Sequence, residues 1–218
     1  MVYVFYTLNT IPFTKDRWDR YLSEIPDLFR QKILKLIRWE DRQNSLTGKL
    51  LLKYGLENLY NLPKSINLVQ VSPFGKLFIP NGPTFNISHS DFCTICVFNS
   101  LKEQSCILSD IGVDIEKVKP IEVRDFFNVF TIEEQAMITD SKSPLCTFYE
   151  IWTRKEAVLK AQGSGLTNSL NKFCVSQNQA DINGSLWYTH PIEVCKGYIC
   201  HIATKERSPK ISIQSMTF

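Results

Sequence analysis

No stretch of this 218-residue chain approaches the eighteen or so consecutive apolar residues of a membrane span. Its start, Met1-Val2-Tyr3-Val4-Phe5-Tyr6, lacks the basic segment, longer apolar segment and small-residue cleavage site of a signal peptide, so the cytoplasm is the expected compartment. Excess charge of one sign is also missing. The 25 Lys and Arg against 22 Asp and Glu leave +3, too little to argue for nucleic acid. The seven cysteines are odd in number and scattered through apolar runs, which fits reduced core thiols better than a disulfide framework. Cys93-Thr94-Ile95-Cys96 has the C-x-x-C spacing of redox and zinc sites, but no second such pair exists, and only His89, His190 and His201 are on hand to complete a metal shell. Its run, 92–98, reads as a strand, on which positions three apart face opposite sides, so two buried thiols are expected.

At 44% hydrophobic and 22% charged residues, the composition is that of a globular protein of one domain or two small ones. Residues 2–8 read as a strand rich in Val, Tyr and Phe. Thr14 caps a helix running to about Ile25, and Pro26-Asp27 opens another expected to carry Leu28, Ile33, Leu34 and Ile37 inward and Arg30, Lys32, Lys35 and Arg38 on a basic, mostly solvated face. A longer helix covers 40–62 and stops at Pro63. Gly48 within it calls for either close packing or a ligand near the backbone. Short strands follow at 68–71, 76–79, 85–90 and 92–99. The second half repeats this order in outline: a strand at 106–116, a helix capped by the box Thr131-Ile132-Glu133-Glu134, a long helix opened by Pro144 and ended by Gly163-Ser164-Gly165-Leu166, then strands near 172–176, 186–189, 198–204 and 210–216. An α+β fold of two helix-and-meander halves is expected, divided into 1–104 and 105–218, although no residue-level repeat is visible.

Two stretches carry chemistry. Trp152-Thr153-Arg154-Lys155-Glu156-Ala157-Val158-Leu159-Lys160 has no Gly or Pro, and as a helix it puts Trp152, Glu156 and Lys160 on one face. Gly112-Val113-Asp114-Ile115-Glu116 alternates apolar and acidic residues, and as a strand it points Asp114 and Glu116 out of one side. Each pattern alone describes many solvated surfaces. Here the strand is core-like through Ile111, Val113 and Ile115, and the helix is apolar around its charges, so the acids need a partner. Three carboxylates and a lysine suit Mg²⁺ bound to a substrate phosphate. Ser88-His89 could be a nucleophile and base, but adjacent strand residues face opposite ways, and phosphate contact suits the pair better.

The same residues, with Phe148-Tyr149-Glu150-Ile151 before Trp152, resemble the signature of the 4′-phosphopantetheinyl transferases. Phe85-Asn86-Ile87-Ser88-His89-Ser90 and Gly75-Lys76 resemble further motifs of the long, two-lobed type that activates surfactin synthetase, and the similarity runs nearly end to end. The resemblance implies a pseudo-dimer of two α+β lobes with the active site in the cleft between them, and transfer of the phosphopantetheine arm of coenzyme A to a serine of an acyl, peptidyl or aryl carrier protein. It implies Asp114, Glu116 and Glu156 at Mg²⁺, Lys160 at the pyrophosphate, His89 and Lys76 at coenzyme A phosphates, and Ser88 as a neighbouring contact. Asn44 stands where the family's first-lobe motif usually carries an arginine, and Arg42 is the nearby basic residue expected to replace it. A monomer is expected, since two lobes already make a cleft. The competing readings are a catalytically inactive carrier-binding module and a metal-dependent nucleotide phosphohydrolase.

Overall fold

The computed structural model describes residues 1–100, 111–163, 165, 170–175 and 177–218. The expected boundary at 104/105 and the first part of the strand expected over 106–116 lie outside the described residues, as do Ser164, Leu166 and Ser176.

The alternating Val2–Leu8 forms β1. Thr14 caps α1, Lys15–Ser23, by accepting from the Arg17 amide. The next helix, α2, is only Asp27–Leu34, and its two turns bury the stripe of Phe29 and Ile33. Leu28, Leu34 and Ile37, expected inside, are exposed, Ile37 by 92%. Apolar residues on a helix this short fall off the narrow stripe that meets α3. That helix, Trp39–Tyr60, ends at Asn61 in the left-handed conformation, before Pro63 is reached. Close packing explains Gly48: a Cβ there would meet Ile87 Cγ2 at 3.1 Å. A 3₁₀ turn at Ser65–Leu68 precedes the short β2, Gln70–Val71, and β3, Leu77–Phe78, which pair with each other. Thr84–Ser90 and Cys93–Asn99 make β4 and β5, joined at Asp91, whose φ of 51° closes the tight turn.

In the second half, β6 is Ile111–Lys117, α4 is Ile132–Thr139 with the expected capping box, and α5 is Pro144–Gln162, ended by left-handed Gly163. The strand expected near 172–176 is replaced, over its described part, by the end of a 3₁₀ turn at Leu170–Lys172 and irregular chain after it. An unforeseen β7, Gln179–Ile182, pairs with β8, Ser185–Pro191, followed by β9, Tyr198–Thr204, and β10, Ile211–Ser215.

The fold is mixed α+β, with two four-stranded sheets ordered β10-β1-β5-β4 and β6-β9-β8-β7. β10 pairs parallel with β1, Val2 beside Ile211, so the last strand joins the sheet of the first half. One face of the first sheet packs Phe5, Phe85, Cys96 and Phe98 against α3. Its other face, with Val2, Val4, Cys93, Ile95 and Val97, meets Ile111, Val113, Ile115, Cys200 and Ile202 of the second sheet. Cys93 and Cys96 thus lie in different cores, as strand geometry requires.

The two sheets meet edge to edge through side chains. Asn86 accepts from the Val113 amide at 2.9 Å, Ser88 donates to Asp114 at 3.0 Å and Ser90 donates to Glu116 at 2.7 Å while accepting from the Lys117 amide at 3.1 Å. Alternate residues of β4 therefore take the place of a backbone ladder to β6. Across β6, α5 presses on the strand so closely that a Cβ on Gly112 would fall 2.0 Å from the Ala157 carbonyl oxygen and 2.4 Å from the Ala161 nitrogen. Gly112→Ala is expected to cost about 2–3 kcal/mol, because backbone on both sides must move. Chemical denaturation reads this directly, and an unchanged midpoint would show that α5 can slide.

Candidate active site

Backbone contact at Gly112 fixes which β6 side chains look toward α5. Gly112, Asp114 and Glu116 share that side, while Ile111, Val113 and Ile115 face the other sheet. From α5, Lys160 reaches across, its Nζ 2.5 Å from Asp114 Oδ1 and 3.0 Å from Ser88 Oγ. Glu156, one turn earlier, is 5% exposed, and Asp114 is 3% exposed. Among the described residues Asp114 Oδ2 and Glu156 Oε1 are buried without a hydrogen-bond partner, which leaves two acceptors open in the same small region. Trp152, one turn before Glu156 on the same helix face, stacks on Phe148 a further turn back, with ring centroids 6.0 Å apart, within an aromatic cluster.

Charges this close perturb one another. Burial pushes Glu156 up to about 7, and the neighbouring Asp114 and Glu116 add to the rise against the pull of Lys160. Glu116 is raised by burial, with its Ser90 hydrogen bond opposing and Asp114 adding. For Lys160, burial is the largest single influence and acts downward, but Asp114, Glu156 and Glu116 together outweigh it and leave the ammonium above its ordinary value. Among the described residues, no three His, Cys, Asp or Glu side chains are arranged as a ready metal cage. The cation that Asp114 holds here is Lys160.

Glu156 and Lys160 form one wall of a cavity of about 490 Å³, whose other walls come from Phe29 and Lys32 of α2, Ser45 and Lys49 of α3, Val71 and Phe74 to Leu77 around the β2–β3 turn, and Phe85 to Ile87 and His89 of β4. Ser88 and His89 part as strand neighbours must: Ser88 turns to Asp114 and His89 to the cavity. The surrounding protein, then Lys160 and Lys49, hold the His89 imidazole below its ordinary pKa. Lys76 also lines the cavity, but its ammonium donates to the carbonyls of Lys160 at 2.6 Å and of Ile111 and Ala161 at 3.3 Å. Arg42 is not among the lining residues; its Nε donates to the Leu36 carbonyl at 2.6 Å. Asn44 is buried away from the cavity in a network with Asn9, Thr94 and the Asp91 carbonyl.

Residues 110–203, which span β6, α5 and β9, match the model of the 4′-phosphopantetheinyl transferase superfamily. Over 172 residues the chain is 32% identical to the 4′-phosphopantetheinyl transferase Sfp of Bacillus subtilis, covering 77% of this chain and 73% of that protein. The chain belongs to the 4′-phosphopantetheinyl transferases. It is also 32% identical over 168 residues to the 4′-phosphopantetheinyl transferase ffp of Bacillus subtilis, covering 75% of this chain and 71% of that one. With the 4′-phosphopantetheinyl transferase gsp of Aneurinibacillus migulanus it shares 30% identity over 153 residues, 69% of this chain and 61% of that one.

Within this phosphopantetheinyl transferase, Lys155 takes the opposite course from its neighbour Glu156. Its Nζ is buried against Glu134, 2.8 Å from Oε1 and 2.7 Å from Oε2, donates to the Phe173 carbonyl and sits 4.5 Å from the Phe173 ring centroid. Glu134 also accepts from the Val175 amide at 2.9 Å and the Thr131 amide at 3.0 Å. The capping box of α4 is thus the acidic half of a buried ion pair. His201, beside Asp114 on β9, hydrogen-bonds Thr153 at 2.8 Å and is held neutral by burial and Arg154, its pKa down at about 3. Ser45, Lys49, Glu134 and Lys155 drew no functional assignment from the sequence, where each looks like an ordinary polar helix residue, and Lys32 was only one of four on a basic face of which two could reach an anionic ligand.

Proposed function

We propose that this chain transfers the 4′-phosphopantetheine arm of coenzyme A to a serine hydroxyl of an apo acyl, peptidyl or aryl carrier protein, releasing adenosine 3′,5′-bisphosphate. The observation that carries the reading is the meeting of Asp114, Glu156 and Lys160 beside a cavity with basic side chains on several walls. We read β1, α3, β4 and β5 as one lobe of a pseudo-dimer and β6, α5, β8 and β9 as the other, with the cavity as the cleft between them. A single copy then supplies both walls.

Lys160 remains an ammonium at neutral pH and lies where the negative charge of the departing bisphosphate develops. Ser88 and Asp114 fix its position. Of the three acids only Glu156 lines the cavity, and a carboxyl near 7 is suited to take the proton of the incoming serine. His89 faces the cavity as a neutral imidazole with a ring N–H to offer to phosphate oxygen. Lys76 contributes positive potential from its place over the end of α5.

Asp114, Glu116 and Glu156 are the residues that would hold Mg²⁺, and the donor set fits it: hard oxygens only, two of them buried and unpartnered. Bound there, the cation would withdraw charge from the pyrophosphate. Incubation of an apo carrier with this protein, coenzyme A and Mg²⁺ is expected to add about 340 Da to the carrier, the mass of the transferred arm. Nucleotide hydrolysis without that gain would point to a phosphohydrolase, and tight carrier binding without either to an inactive binding module.

A further inference from the structure

Cys93 and Cys96 cannot act together, since they lie in different cores, but Cys93 meets thiols from the other half of the chain. It opens β5, and the core between the two sheets that buries it also holds Cys200 of β9 and packs Cys195, from the connection between β8 and β9, against its edge. Two hydrogen bonds hold that connection in place. The Cys195 carbonyl accepts from the Tyr198 amide at 3.2 Å, and the Tyr198 hydroxyl accepts from the amide of Phe92, the residue before Cys93, at 3.3 Å. The Cys93 thiol donates to the Cys195 sulfur, across the seam between the first sheet and the second. Cys93 is fully buried, whereas Cys195 is half-buried. Lys117, whose ammonium lies 4.6 Å from the centroid of the Tyr198 ring, places a positive charge near the Cys195 sulfur.

We infer that Cys93 and Cys195 form a reversible disulfide staple between the two four-stranded sheets, closed by hydrogen peroxide and opened by a dithiol. In closure the Cys195 thiolate attacks one peroxide oxygen and the O–O bond breaks, which leaves a sulfenic acid on Cys195 and releases one water after proton uptake. The Cys93 thiol then attacks the Cys195 sulfur, the S–O bond breaks and a second water leaves with the Cys93 proton. Two thiols and one peroxide thus give one disulfide and two waters, the sulfurs losing the two electrons that the peroxide gains. Opening is thiol–disulfide exchange, in which the dithiol departs as its own disulfide. Burial holds both thiols above their ordinary pKa, against the Cys93 hydrogen bond and the Lys117 charge in the case of Cys195, so closure is slow. Cys93 needs no access to solvent, because its oxidised partner is already beside it. The bond would close a loop of roughly a hundred residues, which removes freedom from the unfolded chain and favours the folded one. The inference stands apart from the transferase reading, since neither thiol lines the cavity.

The test treats the full chain with excess hydrogen peroxide, caps the remaining thiols by alkylation under denaturing conditions and digests without reduction. The treated protein is expected to carry two fewer alkyl groups than the untreated one, and its digest to contain a peptide pair joined through Cys93 and Cys195. Its Tm should rise by roughly 5 °C or more and fall back on addition of dithiothreitol. Cys195→Ser should lose both the cross-link and the rise in Tm, whereas Cys146→Ser, at an exposed thiol outside the pair, should keep both. Cys93→Ala, which suits a buried apolar site, should stop the reaction at a sulfenic acid on Cys195 that dimedone traps. An unchanged thiol count, a link from Cys195 to Cys200 in place of Cys93, or a cross-link that leaves Tm unmoved overturns the inference.

Discussion

Asp114→Asn is expected to fold normally and to modify carrier protein at least a hundredfold more slowly than the wild type, a loss of roughly 3 kcal/mol or more of transition-state stabilisation. The amide keeps an oxygen for the Ser88 hydroxyl and fills the same buried space. What it removes is the negative charge that anchors Lys160 and that, with Glu116 and Glu156, would hold the cation. Asparagine is the better probe than alanine, because truncation would also remove the oxygen that accepts from Ser88 and Lys160 and leave a void in its place. Glu156 should report the change: without Asp114 its carboxyl loses one of the influences that raise it and titrates below about 7, visible by NMR on the labelled side chain. Chelation of the wild type should abolish transfer, and Mg²⁺ or Mn²⁺ should restore it. Wild-type turnover by Asp114→Asn, or indifference to chelator, would contradict the proposed chemistry.

Lys155→Ala is expected to be the most damaging substitution for stability, at about 3–5 kcal/mol, because it leaves the Glu134 carboxylate buried opposite a void. For a chain of this size that corresponds to a fall in Tm of roughly 6–20 °C. The side chains are 1% and 0% exposed, and the pair joins α5, α4 and the segment at 173–175, so no water stands ready to replace the lost contact. Thermal unfolding of Lys155→Ala, Glu134→Ala and the double variant reads the coupling: the double should cost much less than the sum of the singles. Additive costs would mean that the two groups act separately. Carrier modification at low temperature, where the variant stays folded, should change far less than stability does.

The alternation of 111–116 and the turn-spaced Glu156 and Lys160 were legible in the sequence because regular elements turn spacing into direction. The same arithmetic separated Ser88 from His89 and sent Cys93 and Cys96 to different cores. It could not tell which lysine on a helix faces solvent, an anion-sized cavity or a buried acid. Lys49 and Lys155 sit among apolar neighbours just as solvated lysines do, and their settings are created by α2 in one case and α4 in the other. Leu28, Leu34 and Ile37 were misplaced for a related reason: apolar character signals burial only where a neighbouring element exists to cover it. Arg42 was chosen by nearness in sequence, and its bond to the Leu36 carbonyl turns on a local bend that no spacing encodes.

The parallel pairing of β10 with β1 also sets an order of events during synthesis. Residues 2–6 leave the ribosome long before their partner strand at 211–215. Until then β1 has β5 on one side and an open row of amides and carbonyls on the other, which the Val2 amide closes on the Lys210 carbonyl at 2.7 Å and the Met216 amide on the Tyr6 carbonyl at 2.7 Å. A nascent chain stalled before β10 would therefore present a sticky strand edge, and the β1–β10 pairing forms only after 211–215 have been made.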